Sequence, residues 1–161
     1  MARPTPPKDP GALTRFIQGE FHARHRARLP ALAALSEEVE SIHAGRAGVP
    51  AGLAGLLRQM IGALEVHMKM AELILFPAMR KAAPGLDLPI AALRANHEDH
   101  TAEVEQILGL TSGLTLPAGA CASWTRLYAE TRAFLDDLKE HIRLENEVLF
   151  PQFETGVARH G

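Results

Sequence analysis

A histidine and a glutamate stand four residues apart at His141 and Glu145. An α-helix turns by about 100° per residue, so residues four apart lie on the same face of the helix. Phe134, Leu138 and Val148 follow the same spacing, which predicts that this face is buried. Two ionisable groups on a buried face must be compensated for lost hydration, and a metal ion bound by both would do so.

The same frame occurs earlier in the chain, beginning at His67. In both copies a proline follows the histidine by ten residues, and both copies end in Leu-Phe-Pro, at residues 75–77 and 149–151. This repetition predicts two helical hairpins that share one buried polar centre. The copies differ at one inner position, because the residue four places after His67 is Ala71.

The composition is typical of an ordinary globular protein. Of 161 residues, 47% are hydrophobic and 22% are charged, so we expect one domain with a substantial core. The chain has 17 basic and 19 acidic residues and a formal charge of −2, which argues against nucleic acid as a partner. No apolar run has the roughly 18 residues of a membrane span. Cys121 is the single cysteine, which excludes an internal disulfide and favours a cytoplasmic location.

Hydrophobic periodicity predicts four amphipathic helices and almost no strand. We expect them from about Ala12 to His43, from about Ala51 to Lys81, from Pro89 to a loop at Gly109, and from about Ala118 to Phe153. Short connecting loops favour an antiparallel up-down-up-down four-helix bundle. Pro30 predicts an interruption of the first helix near Leu29.

The bundle is expected to occupy residues 12–155. Residues 1–11 contain four prolines and little hydrophobicity, so they are predicted to be a flexible lead-in that lacks the apolar core of a signal peptide. Residues 156–161 are predicted to be a frayed tail.

Several polar residues fall on the buried faces of three predicted helices: His67, His97, His100, His141 and Glu145. A single histidine on a helix is most often a hydrogen-bonded core residue or a solvated one. A bundle core that collects this many polar groups needs them to be paired or to bind a metal. Imidazole and carboxylate together suit iron, zinc, copper or nickel, and bundle cores are a recurring location of two-metal carboxylate sites. Without a cluster of thiolates, structural zinc is less favoured.

Six short stretches make the pattern specific: residues 21–26, 39–43, 66–68, 89–97, 120–124 and 141–151. In this order they resemble the hemerythrin-like HHE domain, and most closely the C-terminal di-iron domain of the repair-of-iron-centres proteins. The resemblance implies a hemerythrin-like bundle around a non-haem di-iron centre, held by five histidines and two bridging carboxylates. The matching residues are His22, His43, His67, His97, His141 and Glu145. Periodicity alone does not choose between His22 and His25.

The match fails at the second bridging carboxylate, because its position is occupied by Ala71. Glu72 is adjacent, but in a regular helix it points about 140° away from His67 and faces solvent, unless a π-bulge shifts the register. His100, one turn after His97, is the other candidate that could compensate. With one bridge missing, a centre of two irons is favoured and a single iron is the alternative.

The resemblance implies a cytoplasmic protein that binds or processes nitric oxide and protects or repairs iron centres under nitrosative or oxidative stress. Its partners would be a small diatomic ligand, NO or O2, and iron-containing client proteins. One alternative is a carrier or sensor of oxygen or nitric oxide without catalysis, with a mononuclear or altered metal site. Another is a structural bundle with satisfied core histidines. The sequence leaves open whether nitric oxide is reduced, and whether iron is donated without the cysteine-bearing N-terminal domain of longer family members.

Overall fold

The structure, a computed structural model, describes residues 4–155. These residues form four helices and no β-strand, which confirms the predicted all-α bundle. Residues 1–3 of the predicted lead-in and the predicted tail, 156–161, lie outside the described residues. Within the described part of the chain, no helix is both long and apolar enough to cross a lipid bilayer.

Three of the four helices contain a π-helical stretch. Helix α1 consists of Pro10–Phe16, the π stretch Ile17–His22 and Ala23–Ile42. Helix α2 consists of Leu53–Met70, the π stretch Ala71–Leu75 and Phe76–Arg80. Helix α3 is Asp87–Leu110. Helix α4 consists of Ala122–Arg143, the π stretch Leu144–Leu149 and a final 3-10 turn, Phe150–Gln152.

Contacts between α1 and α2 show that these helices are antiparallel. Near the end of α1, Glu40 accepts a hydrogen bond from the N–H of Ala54, at the start of α2, at 2.9 Å. Earlier in α1, Arg26 pairs with Glu65, later in α2, at 2.7 Å. The paired residues therefore move in opposite directions along the two helices, as in a bundle with short connections.

The apolar core has two parts with the histidines between them. The upper cluster contains Trp124 and Phe134 and is built from the C-terminal part of α1 and the N-terminal parts of α2 and α4. The lower cluster contains Phe21, Phe76 and Phe150 from the opposite ends of these helices. Buried histidines lie near the boundary between the clusters in each helix. Apolar packing on both sides therefore limits the access of water to this polar layer.

The predicted interruption of the first helix is present, but its location differs from the expected one. Regular α-geometry is lost at Ile17–His22, whereas Pro30 lies inside the α-helix Ala23–Ile42. Pro30 is exposed while its neighbour Leu29 is buried. The carbonyl that Pro30 leaves without a helical partner therefore faces the solvent side, where water can bond to it, and packing keeps the helix continuous.

Candidate metal centre

Glu145 lies at the centre of the histidine layer. Its side chain is fully buried. Its Oε1 lies 2.7 Å from Nε2 of His97 and 3.3 Å from Nε2 of His67. Its Oε2 lies 3.3 Å from Nε2 of His141. The two oxygens of one carboxylate therefore face different histidines.

The donor atoms form two groups that share Glu145. One group adds His22 and His141, and the other adds His67 and His97. In each group, one donor atom from every residue lies within 4.8 Å of the others. Each of the four helices supplies one of these histidines. The structure thus brings together five of the six ligands that the sequence predicts.

The separations of the donor atoms fit a shared metal ion. Two atoms that are each about 2.1 Å from one ion are separated by roughly 3 Å when their bonds are at right angles. The three separations from Glu145, 2.7, 3.3 and 3.3 Å, lie around this value. Within residues 4–155, eight buried side-chain atoms have no hydrogen-bond partner, and three of them belong to one donor group: Nε2 of His22, Nε2 of His141 and Oε2 of Glu145. Such orphaned atoms are rare in native proteins, and an ion bound by all three would satisfy them.

Burial and mutual contacts set the protonation of these groups. Burial, together with nearby His141, lowers the pKa of His22 to about 4. Burial also lowers the pKa of His141. For Glu145, burial raises the pKa, but His141 and the contacts with His67 and His97 outweigh this effect and hold the pKa well below its ordinary value. At neutral pH His22 and His141 are therefore neutral and Glu145 is ionised, which are the forms that bind metals.

Two of the histidines are oriented in the same way through their outer nitrogens. Nδ1 of His22 donates to Oε2 of Glu72 at 2.6 Å, and Nδ1 of His97 donates to Oδ1 of Asn146 at 2.8 Å. An oxygen that accepts from Nδ1–H leaves the Nε2 lone pair available to a metal.

The same two rings are stacked on phenylalanines of the repeated Leu-Phe-Pro motif. Phe76 stacks on His22 with ring centroids 5.9 Å apart and planes 10° from parallel. Phe150 stacks on His97 at 5.8 Å and 4°. The repeated motif therefore holds histidines that belong to the preceding helix of each hairpin.

His25, the alternative to His22, supports a ligand and lies outside both groups. Its Nε2 lies 3.1 Å from Nδ1 of His141. The outer nitrogen of His67 in turn lies 3.4 Å from Oδ1 of Asn96. The four histidines of the two donor groups are the inner histidines of the site. Each of them therefore has a contact at its outer nitrogen, Nδ1.

Glu72 is not a solvated surface carboxylate, and it lies outside both donor groups. Its side chain is 16% exposed, and it contacts His22 and Arg26. It lies in the π stretch Ala71–Leu75, where hydrogen bonds of the i→i+5 type widen the turn. The register shift that could bring Glu72 inward is present, but it takes this carboxylate to the outer nitrogen of His22.

His100 lies beside the site and outside both groups. Its ring packs edge-on against His67, with centroids 5.6 Å apart. Its Nδ1 donates to Oε1 of Glu103 at 2.8 Å, and burial lowers its pKa. The structure therefore places His100 as a neighbour of a predicted ligand.

The structure does not bring His43 to the other predicted ligands. His43 follows the last residue of α1, with Nε2 3.1 Å from Sγ of Cys121 and its ring 4.9 Å from the ring of Trp124. From His22 to His43 the helix advances 21 residues, which is about 30 Å along its axis. His43 therefore lies at the opposite end of the bundle, and the ligand role that the resemblance implies for it is not supported by its position.

Sequence reasoning missed Asn146, Asn96 and Arg26. Asn146 could have been found, because it follows His141 by five residues just as Glu72 follows His67. No local pattern marks the other two side chains, since their partners lie on other helices.

Comparison with known proteins agrees with this geometry. Residues 17–153 match the family model described as the hemerythrin HHE cation binding domain. The iron–sulfur cluster repair protein YtfE of Musicola paradisiaca is 41% identical over 147 residues, which cover 89% of this chain and 65% of that protein. The iron–sulfur cluster repair protein DnrN of Neisseria gonorrhoeae is 39% identical over 141 residues, which cover 87% of this chain and 88% of that protein.

A third relative is the probable iron–sulfur cluster repair protein of Haemophilus influenzae. It is 41% identical over 133 residues, which cover 82% of this chain and 60% of that protein. The chain therefore spans less than two-thirds of the length of the Musicola and Haemophilus relatives.

Proposed function

Because the chain belongs to the hemerythrin HHE cation-binding domain family, we propose that its histidine layer holds a non-haem di-iron centre used in the repair of iron centres. One observation carries this proposal: the two oxygens of Glu145 face separate groups of histidines. Glu145 would bridge the two ions. Each iron would then be held by two imidazoles and one carboxylate oxygen.

This set of donors suits binding of a small molecule. Iron held by two histidines and one carboxylate keeps coordination positions open, and it binds diatomic ligands such as NO and O2. The upper and lower apolar clusters surround the layer. Burial lowers the pKa of His22 and His141 and so favours their neutral forms, and the clusters limit competing water.

We propose that the protein works in the cytoplasm on iron-containing client proteins under nitrosative or oxidative stress. The names of its relatives support repair of iron–sulfur clusters, and the resemblance to the repair-of-iron-centres proteins supports nitric oxide as the ligand. Since the Musicola and Haemophilus relatives extend beyond the matched region, repair by this chain alone is a separate step to test. Reactivation of a nitric oxide-damaged iron–sulfur enzyme by the iron-loaded protein, but not by metal-free protein, is the expected result.

One observation favours a carrier or sensor without catalysis. Ala71 is fully buried in the lower apolar cluster, at the position where a second bridging carboxylate would come. Reduction of nitric oxide needs two ligand molecules held close together, and a pair of irons with one carboxylate bridge is less rigid. This observation also favours the single-iron alternative.

The number of irons is measured first. Protein purified and loaded with ferrous iron without oxygen is expected to contain two irons per chain. A firm value near one would establish a mononuclear site. Protein that retains no iron, and whose melting temperature does not rise when ferrous iron is added, would leave only a structural bundle.

Exposure to nitric oxide then separates turnover from reversible binding. Reduced, iron-loaded protein is exposed to nitric oxide without oxygen while absorbance and nitrous oxide are followed together. An absorbance change that reverses on removal of the gas, without nitrous oxide, identifies a carrier or sensor. Nitrous oxide in excess of the iron present, formed when an added electron donor supplies the two electrons that each molecule of nitrous oxide requires, identifies an enzyme.

A further inference from the structure

Glu72 and Asn146 occupy equivalent places in the two hairpins. Each is the fifth residue after a histidine of the repeated frame, and each lies in a π-helical stretch. Each accepts a hydrogen bond from Nδ1 of a histidine on the preceding helix, Glu72 from His22 and Asn146 from His97. The same contact therefore occurs once in each hairpin, and in both cases it is made by a residue that is not itself a predicted metal ligand.

The two places differ in charge. Glu72 offers a carboxylate to His22, whereas Asn146 offers a neutral amide to His97. Hydrogen bonds to an ionised acceptor are shorter and stronger than neutral ones, and the separations are 2.6 Å and 2.8 Å respectively. A carboxylate on Nδ1 makes the imidazole a more basic ligand at Nε2.

The carboxylate of Glu72 is itself held in place. Arg26 donates to both of its oxygens, at 2.8 and 2.9 Å, and the same guanidinium binds Glu65 at 2.7 and 3.0 Å. Two hydrogen bonds from the guanidinium of Arg26 and one from Nδ1 of His22 all favour the ionised form of this carboxylate. Glu72 is therefore ionised at neutral pH and fixed in orientation.

We propose that Glu72 restores, one layer further out, the negative charge that the inner layer lacks at Ala71. The iron position that includes His22 then binds iron more tightly, and favours ferric iron more strongly, than the position that includes His97. Glu72 is a positioning residue, because it acts through His22. This inference rests on the proposed di-iron centre.

The physical reason is the acceptor on the outer nitrogen of each ligand histidine, because Arg26 offsets part of the charge of Glu72 but leaves its carboxylate bonded to Nδ1 of His22. Both positions share the single charge of Glu145, and only one of them has a further carboxylate that acts through a ligand histidine. Partners of this kind typically change metal affinity by about 10–100-fold when they are removed. The structure therefore predicts two unequal iron positions in one centre.

The variant Glu72→Gln tests the inference. It removes the charge, keeps the size of the side chain and keeps an oxygen that can accept from His22. Iron is titrated into metal-free protein, and the expected result is a 10–100-fold weaker affinity at one of two positions. At a ferrous iron concentration that just fills both positions of the natural protein, the iron count falls from two towards one. The midpoint potential of the centre is expected to rise.

The matched control is Glu65→Gln. Glu65 binds the same Arg26 but is not among the hydrogen-bond partners of His22 in the described part of the chain. Its loss should leave both iron affinities and the potential unchanged. The converse variant, Asn146→Asp, should tighten iron binding at the position that includes His97 and make the two affinities more alike.

Equal iron affinities and equal potentials in Glu72→Gln and Glu65→Gln would overturn the inference. Circular dichroism and the melting temperature of the metal-free variants show whether each one folds. If Glu72→Gln does not fold, Asn146→Asp decides, and unchanged iron binding in that variant counts against the inference. Failure of the natural protein to bind iron would instead reject the proposed function. Two irons bound with no effect of Glu72 would reject the inference alone.

Discussion

The hairpin of α1 and α2 and the hairpin of α3 and α4 contribute to the histidine layer in nearly the same way. Each hairpin supplies two inner histidines, one from each of its helices. In each hairpin a phenylalanine of the Leu-Phe-Pro motif stacks on the inner histidine of the first helix. They differ in the inner carboxylate, since α4 carries Glu145 where α2 carries Ala71. They also differ in the outer partner, Glu72 in one and Asn146 in the other.

The comparison shows that the positions of the histidines and the charge of the site depend on different residues. Stacking and outer hydrogen bonds persist in the first hairpin although its inner carboxylate is missing. Ala71 is buried in the lower cluster, so this position is held by apolar packing and does not need a metal to be stable. The positions of the histidines therefore depend on the bundle, whereas the number and strength of bound irons depend on a few carboxylates.

The largest effect is expected from Glu145→Gln, which removes the one carboxylate that both hairpins use. Iron binding should weaken at both positions by more than the roughly 100-fold seen for outer contacts. An iron titration monitored by metal analysis measures this loss. Glu147→Gln, at an exposed position two residues further along α4, is the matched control. Retention of one iron at the natural affinity would show that the hairpins bind their ions independently.

Ala71→Glu makes the two hairpins alike at the inner position. In the metal-free protein we expect a loss of roughly 3–5 kcal/mol in the free energy of unfolding, the cost of an uncompensated buried charge. Added iron should restore stability and raise iron occupancy, because the new carboxylate supplies a second bridge. Denaturant unfolding with and without ferrous iron measures both effects. Ala71→Gln is the control of similar size, and equal iron binding by the two variants would argue against a missing bridge.

The metal-free protein should become less stable at low pH, because His22 in the first hairpin is buried in its neutral form. The pKa of His22 is lowered from 6.5 to about 4 in the folded state, so the unfolded state binds this proton more readily. The free energy of unfolding should therefore fall as the pH decreases from about 6.5 to about 4, by roughly 2–3 kcal/mol for this one group. Denaturant unfolding at several pH values measures the slope. His22→Gln should reduce the slope, while His25, whose pKa burial lowers to about 2, keeps part of it. An unchanged slope in His22→Gln would assign the effect to other residues.

The smallest effect is expected from His43→Ala, which compares the two ends of the bundle. This variant loses the contact with Cys121 and the packing on Trp124, so a cost of about 1 kcal/mol in the free energy of unfolding is expected. Iron content should not change, whereas His22→Ala should lose iron from one position. Loss of iron from His43→Ala would mean that His43 takes part in metal binding after all.

Much of the fold could be predicted from periodicity alone. The faces that carry Leu138, His141 and Glu145 in α4 and His67 in α2 are buried as expected, because spacing of three and four residues selects one side of a helix. The same reasoning placed His97 on an inward face, but it could not choose between His22 and His25. That choice came from the resemblance, and it depends in the structure on which ring lies level with Glu145.

Two positions show why the rest could not be predicted in this way. In a regular helix Glu72 lies about 140° away from His67, which predicted that it faces solvent. In the structure the π stretch widens this turn, and Arg26 from another helix holds the carboxylate of Glu72. His43 lies far along the same helix from His22. Helical periodicity predicts the direction in which a side chain points, but it does not show which side chains of different helices lie at the same level along the bundle axis.

Sequence alone therefore determined the class of fold, the inner face of each helix and the types of residue that meet there. It also located the asymmetry at Ala71, since two copies of one frame can be compared without coordinates. Only the tertiary structure decided which histidines lie level with one another, which nitrogen of each ring faces Glu145, and what Glu72 contacts. These features depend on the axial alignment of four helices and on π turns, and both result from packing between segments distant in the chain.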